Sequence, residues 1–339
     1  LDPAVPGRLS RSVRWAEAWS WPPSLGMVPK GGLIATCGDP HQGDQWWFVH
    51  TDGLYFSPDG GAHLKKVMDE SGKQSVWEMG PFEKHRQPVL SPTPDSRFQC
   101  PILGKEVRWE EQNVYNPAAV VRDGKVYLFY RADDKNPALK WGRTCRIGMA
   151  WSEDGTNFTR HPPPVLYPDN DEWKKYEWEG GCEDLHIVEG EDGAYYMNYT
   201  TWSGERDTVS VASSRDLVHW TKHGPAFRKA GKIGGRSGVV VSRLVGDRLI
   251  AAKIDGRYWM YYTHPCALAS SENLIDWTPT GEAVWPGGGR EAGAIALLRD
   301  DGILLMTQGG HKSLGAWTLH QALIDRNDLK SVLEEQKEP

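Results

Sequence analysis

Gly124-Lys-Val-Tyr-Leu-Phe-Tyr-Arg131, then Ile147-Gly-Met-Ala-Trp-Ser-Glu-Asp-Gly155, then Phe158: this stretch decides the fold, because the chain writes it again. The second copy is Gly193-Ala-Tyr-Tyr-Met-Asn-Tyr-Thr200, Val211-Ala-Ser-Ser-Arg-Asp-Leu217 and Trp220. The third is Gly256-Arg-Tyr-Trp-Met-Tyr-Tyr262, Leu268-Ala-Ser-Ser-Glu-Asn-Leu274 and Trp277. Each copy is a glycine turn, an aromatic strand, a small-residue strand ending in Ser, an Asp or Asn turn, and a closing aromatic. Partial copies flank these three, at Trp46-Trp-Phe-Val-His50 with Leu54-Tyr-Phe-Ser-Pro-Asp-Gly60, and at Gly302-Ile-Leu-Leu-Met306 with Ala322-Leu-Ile-Asp325. Five units at a spacing of roughly 60 residues signal an array rather than separate domains.

Within each unit the strands are short, alternating and broken by Gly or Asp turns. Helical patterning is confined to the tail, near Leu329 to Glu335. Four-stranded units repeated radially make a β-propeller, which leaves only short, protected edges. A sandwich would not repeat over so long an interval, and a β-helix would repeat over a shorter one. The prediction is an all-β, five-bladed β-propeller that occupies residues 1–339 as one domain. Residues 1–79 are its divergent N-terminal region and first blade, and 329–339 a C-terminal tail. The proline-rich segment 79–112 reads as a connection between blades with an extended strand, since a linker would carry fewer aromatics.

The 339 residues carry 39 Lys and Arg against 45 Asp and Glu, a net charge of −6. Both signs are mixed along the chain, so no basic nucleic-acid footprint exists. The apolar runs are too short for a membrane-spanning helix. Cys37, Cys100, Cys145, Cys182 and Cys266 are scattered with no CxxC pair, which makes neither a disulfide framework nor a zinc site. The eleven His show no HxH or HExxH spacing, so neither a metal nor a cofactor is expected. The 17 Trp and 12 Tyr outnumber the 7 Phe. Such rings pair an apolar face with a polar handle, which suits both propeller cores and stacking on sugar rings. The expected partner is an oligosaccharide or glycan. An exported location, periplasmic or extracellular, is expected of a glycan-degrading protein, with a cytoplasmic one as the alternative.

In a propeller the innermost strand of each blade lines a central channel, so polar residues at the strand starts converge. Four candidate starts are Tyr115-Asn116-Pro117, Gly181-Cys-Glu183-Asp184-Leu-His186, Gly235-Arg236-Ser237 and Gly289-Arg290-Glu291. Cleaving a glycosidic bond with inversion needs two carboxyls roughly 6.5–9.5 Å apart, one to protonate the leaving oxygen and one to activate water. Asp184 and Glu291, on different blades facing one channel, suit that pair. The acid needs a raised pKa, which burial beside Glu183 would supply. An acidic pair is usually a solvated turn. Here it is wedged between Gly180-Gly-Cys182 and Ile187-Val188, which favours function. Arg131, ending an aromatic strand before Ala132-Asp133-Asp134, either grips a substrate hydroxyl or pairs within the blade.

These residues resemble glycoside hydrolase family 130, β-mannoside hydrolases and phosphorylases on five-bladed propellers. The resemblance rests on Gly80-Pro-Phe, Asn116-Pro-Ala-Ala-Val-Val-Arg-Asp-Gly-Lys-Val-Tyr-Leu-Phe-Tyr-Arg-Ala132 and Ser152-Glu-Asp-Gly155. It continues through Trp178-Glu-Gly-Gly-Cys-Glu-Asp184, Arg236-Ser-Gly238, Leu249-Ile-Ala-Ala-Lys-Ile-Asp-Gly-Arg-Tyr-Trp-Met-Tyr261 and Ser271-Glu-Asn-Leu-Ile-Asp-Trp-Thr-Pro279. It implies Asp184 as general acid, with Asn116 and Arg131 as sugar contacts. Asp133, Glu183, His186, Arg236, Lys253 and Gln308 complete the substrate-binding set. Glu291 falls where phosphorylases carry Lys, and Gln308 where they carry His. Phosphate would therefore meet a carboxylate. Three places depart from the family pattern: Leu185-His186 replaces Pro-Arg, Thr263-His264-Pro265 replaces a second acid, and Ala292-Gly-Ala294 lacks the usual prolines. The base is Glu291 alone or with His264. The expected activity is hydrolysis of β-mannosides by an inverting two-carboxylate mechanism. The alternatives are a β-mannoside phosphorylase and a non-catalytic or altered-specificity glycan-binding propeller.

Overall fold

A computed structural model describes residues 33–38, 46–50, 53–57, 65–69, 77–79, 87–232, 234–263, 266–283, 290–311 and 316–336; in 33–69, 281–294 and 310–317 only the backbone course is described. The chain divides into two compact units, residues 1–79 and 80–339. In the first, β1 (Leu33–Gly38), β2 (Trp46–His50), β3 (Gly53–Ser57) and β4 (Lys65–Asp69) form one antiparallel four-stranded meander. The first partial repeat supplies β2 and β3.

The second unit opens with a hairpin, β5 (Phe98–Cys100) and β6 (Lys105–Val107), where the sequence suggested one extended strand. Four antiparallel meanders follow among the described residues. The first is β7 (Asn113–Arg122), β8 (Lys125–Asp133), β9 (Cys145–Ser152) and β10 (Thr159–Arg160). The second is β11 (Gly181–Glu189), β12 (Tyr195–Trp202), β13 (Asp207–Ser214) and β14 (Thr221–Pro225). The third begins with β15 (Arg236–Val245), whose far half pairs with β16 (Arg248–Ala251). Its near half pairs directly with β18 (Arg257–Thr263), which also pairs with the short β17 (Lys253–Ile254), and β19 (Ala267–Ser271) and β20 (Trp277–Ala283) complete it. The fourth is β21 (Arg290–Arg299), β22 (Gly302–His311), β23 (Ala316–Ile324) and β24 (Val332–Glu335). First strands of successive meanders stand side by side, as the parallel pairing of Val241 and Ser242 with Ala296 and Leu297 illustrates. The fold is an all-β propeller.

The repeated Ser-x-Asp/Asn signature has a physical cause. Ser152 Oγ accepts the N–H groups of Asp154 and Gly155, at 3.2 and 2.9 Å, and Asp154 Oδ1 accepts those of Thr156 and Asn157. Ser214 does the same for Asp216 and Leu217, and Ser271 for Asn273 and Leu274. Two side chains thus satisfy four backbone donors in a turn that has no ladder. The last residue held by each Ser is left-handed: Gly155 at φ 73°, Leu217 at 69° and Leu274 at 64°. Leucine is strained there. Burial offsets that strain, because both leucines are at most 2% exposed. The closing indoles lock the turns, with Trp220 Nε1 donating to Leu217 O at 3.0 Å and Trp277 Nε1 to Leu274 O at 3.1 Å.

The core lies between neighbouring meanders. Phe129 and Met149 of the first pack on Cys182, Ile187, Met197 and Tyr199 of the second. Val209 and Val211 of the second meet Val240 and Met260 of the third. Tyr261 and Leu268 of the third meet Ile303, Leu305 and Ile324 of the fourth. Cys100, Cys145, Cys182 and Cys266 are buried free thiols, as scattered small residues should be. The tail corrects one expectation. Residues 332–335 form β24 rather than a helix, because Leu323 and Ile324 on β23 offer an open ladder to pair with. Tertiary pairing overrides weak helical propensity there.

Candidate active site

Each first strand carries a bulge near its start, and the bulges place the polar residues. Between Tyr115 and Ala118, Glu183 and His186, and Arg236 and Val239, the register with the second strand slips. Asn116, Asp184 and Ser237 sit in these slips with φ of 47°, 41° and 52°. A bulge bends the strand and re-aims a side chain. On β21 the slip lies between Ala292 and Ile295. Gly181 explains the glycine pair before Glu183. Its φ is 113°, and a Cβ there would come within 2.1 Å of the Cys145 carbonyl oxygen, where β11 meets β9.

Asp184 is the centre. Its Oδ1 accepts from Asn116 Nδ2 at 2.5 Å and from Arg131 at 3.0 Å, and its Oδ2 accepts from Arg236. Glu183 lies between the same two guanidiniums, 2.8 Å from Arg131 and 3.2 Å from Arg236. Arg131 also donates through Nε to Cys145 Sγ at 3.3 Å and stacks 4.6 Å over the Tyr115 ring. Arg236 reaches Asp207, at the start of β13, at 3.4 Å. The Arg131 side chain is 6% exposed and that of Arg236 18%, so Arg236 forms the wetter wall.

The paired carboxyls differ. Burial pushes Asp184 up, but Arg131, Arg236 and the Asn116 hydrogen bond together outweigh it and hold the carboxyl below its ordinary 3.8. Burial raises Glu183 above 4.5, and the negative charge of Asp184 adds to that against Arg131 and Arg236. The expectation that burial beside Glu183 raises Asp184 is therefore corrected. Two cations converge on Asp184, and the raised member of the pair is Glu183.

Asn116, Arg131, Glu183, Asp184 and Arg236, expected from sequence, thus come together. Asp133 stands behind them, fully buried, accepting from Asn113 Nδ2 at 3.0 Å and the Tyr115 hydroxyl at 3.1 Å. It holds the ring on which Arg131 rests. His186 is buried with Nδ1 facing the Val240 N–H at 3.5 Å. Burial pushes its pKa down to about 4, so the ring is neutral. Lys253 is not brought to the cluster: its ammonium pairs with Glu191 at 2.8 Å on the surface, and Tyr258 lies beneath it. Gln308 stands opposite Glu291 in the β21–β22 register. That places Glu291 one position before the place that Glu183 and Arg236 hold in their own strands. The side chain of Glu291 and all of His264 lie outside the described residues.

Two members were not expected. Tyr115 adjoins Asn116 in the quoted strand start, and that adjacency was its signal; its place just before the bulge, shared with Glu183 and Arg236, shows only once the strands are paired. Asp207 begins a third strand, and nothing in the repeat marks it. Among the described residues no group of three or more His, Cys, Asp or Glu is arranged to hold a metal. The arrangement can hold a polar ligand between two guanidiniums, an amide and two carboxyls. It can also exchange a proton at Asp184 or Glu183.

A family model described as β-1,4-mannooligosaccharide phosphorylase matches residues 83–286. A 1,2-β-oligomannan phosphorylase of Thermoanaerobacter sp. (strain X514) is 29% identical over 69% of this chain and 76% of its own. A β-1,2-mannobiose phosphorylase of the same organism is 29% identical over 75% of this chain and 80% of its own. One solved structure is 38% identical with a TM-score of 0.73, covering 78% of this chain and 81% of its own. It comes from work describing glycoside hydrolases, within a family of mannoside phosphorylases, that target β-1,2 mannosidic linkages in Candida mannan.

Proposed function

The chain belongs to glycoside hydrolase family 130, and from that premise we propose that it cleaves β-1,2-mannosidic bonds with phosphate as acceptor. The observation that carries this reading is Arg236, the more exposed of two guanidiniums on Asp184. In this reading an acceptor anion enters from solvent on the Arg236 side. Both curated relatives are named phosphorylases, so the phosphorolytic alternative takes the lead over the hydrolase expected from sequence. A count of five blades belongs to the same proposal.

In the proposed reaction a phosphate oxygen attacks the anomeric carbon, the C1–O glycosidic bond breaks, and the leaving oxygen takes the Asp184 proton directly or through a sugar hydroxyl. Inversion converts the β-mannoside to α-mannose 1-phosphate. Asp184 is ionised in the free site, so it must first take a proton, which the acceptor supplies as dihydrogen phosphate gives up one proton and attacks as the dianion. Phosphate drawing Arg236 toward itself removes one of the cations that hold the carboxyl down. Asn116 and Arg131 grip the sugar.

Hydrolysis is the second reading, favoured by charge. Among the described residues, three carboxylates, Glu183, Asp184 and Asp207, stand around two cations, Arg131 and Arg236, an environment that repels an anion. Glu291, on the same strand end, would then position the water. One assay separates the two. The protein is incubated with β-1,2-mannotriose, with and without phosphate, beside Asp184→Asn and Glu291→Gln. Mannose 1-phosphate formed only with phosphate, and a fall in kcat of about 10²–10⁴-fold in Asp184→Asn, is the expected result. Free mannose made without phosphate, and lost in Glu291→Gln, transfers the case to hydrolysis. No product from any β-mannoside rejects both.

A further inference from the structure

Apart from the Asp184 cluster, a cavity of about 500 Å3 opens against β14 and the connection from β10 to β11. It shares no residue with the cluster. β14 is the fourth strand of its meander, three places out from β11. At the usual strand spacing that is roughly 14 Å. The rings of Tyr167, Trp173 and Trp220 line it, interleaved with Asp169, Asp171 and Lys222.

The aromatic wall is fixed in advance. The Trp220 indole is tethered to Leu217 O and meets the edge of Phe129 at 5.9 Å. The Trp173 ring fills the space left by Gly224, where a Cβ would come within 2.2 Å of it, and its backbone N–H is held by Asp171 at 2.9 Å. Lys222 is already engaged. Its ammonium donates to Tyr167 O at 2.6 Å, Glu177 at 2.6 Å and Asp171 at 3.2 Å. An anionic ligand would therefore find a committed cation and, in Asp169, an opposing carboxylate. A purely apolar ligand would strip water from the Asp169 and Asp171 carboxylates that line the cavity and offer them nothing in return, which is costly. A neutral ring with a C–H face for the aromatics and hydroxyls for the carboxylates satisfies both halves of the wall.

We propose that this cavity is a second glycan-binding site, which holds a neutral oligosaccharide away from the reacting centre. It is independent of the choice of acceptor, and only the choice of probe rests on the mannoside reading. The test is calorimetric titration of Asp184→Asn protein, in which substrate is not consumed, with β-1,2-mannotriose, β-1,4-mannotriose and cellotriose. Two classes of site are expected for at least one sugar. Adding Asp169→Ala or Tyr167→Ala should weaken one class at least tenfold, and either substitution alone in the otherwise intact enzyme should leave kcat on β-1,2-mannotriose within about twofold. One class of site for every sugar overturns the proposal, as do two classes that neither substitution changes. Failure of the intact enzyme to turn over any of the three sugars counts against the proposed activity, while the titration still decides the cavity.

Discussion

Asp184 gathers two guanidiniums and an amide on one buried carboxyl, and this has a sign that can be measured. Its pKa is lowered on folding, so it contributes stability that is present above its unfolded value of 3.8 and lost as pH falls through the folded value. Urea unfolding of wild type and Asp184→Asn between pH 3 and 6 should show the difference moving in favour of wild type as pH rises through about 4. A difference that stays flat across that window would mean that the two guanidiniums do not hold the carboxyl ionised. At this scale the sequence revealed the residues better than their charge states. Asn116, Glu183, Asp184 and Arg236 were legible because they open the first strands of successive repeats, and Arg131 because it ends the aromatic strand that follows the first of them. The direction of the Asp184 shift was not, because it depends on Arg131 and Arg236 arriving from strands 53 and 52 residues away. Lys253 illustrates the reverse: a cation in a familiar motif whose neighbour in space, Glu191, is 62 residues distant.

Turns and bulges are the elements that do the placing. Among the described residues the Ser-x-Asp/Asn turn occurs three times with nearly the same bond lengths, so its energetics should repeat as well. Ser152→Ala, Ser214→Ala and Ser271→Ala each release two backbone N–H groups and should each cost about 1–3 kcal/mol, more where the freed donors are buried. Thermal or urea denaturation of the three variants checks this, and a cost in one turn alone would contradict a shared role. The turns could be read in advance because their bonds are local, between residues two or three apart. The bulges could not. A strand with one extra residue looks like any other strand until its partner is known. The strand β24 was missed for a related reason, since its ladder is supplied by β23.

At the scale of the whole molecule, three hydrophobic clusters of the described residues each span two neighbouring meanders and a fourth joins the first meander to the β5–β6 hairpin, so each meander of the second unit depends on a neighbour for its core. Ile187, 2% exposed on β11, packs in the cluster shared by the first and second meanders. Ile187→Ala should cost about 2–5 kcal/mol. The loss should appear as a lowered midpoint in a single transition of that unit, followed by near-ultraviolet circular dichroism. A separate early transition would mean that meanders melt one by one. The array was legible from its period, while the partition of the cores was visible only once the strands were paired. The left-handed backbone at 116, 184 and 237 carries a consequence for how such a scaffold diversifies. Asparagine and aspartate are the side-chain-bearing residues that enter that conformation with least strain, and bulky ones enter it only where packing offsets the cost, as at Leu217 and Leu274. The vocabulary at these positions is thus short, and any change in what the proposed site accepts must be spelled mainly at the residues just before these bulges, whose backbone carries no such restriction: Tyr115, Glu183 and Arg236.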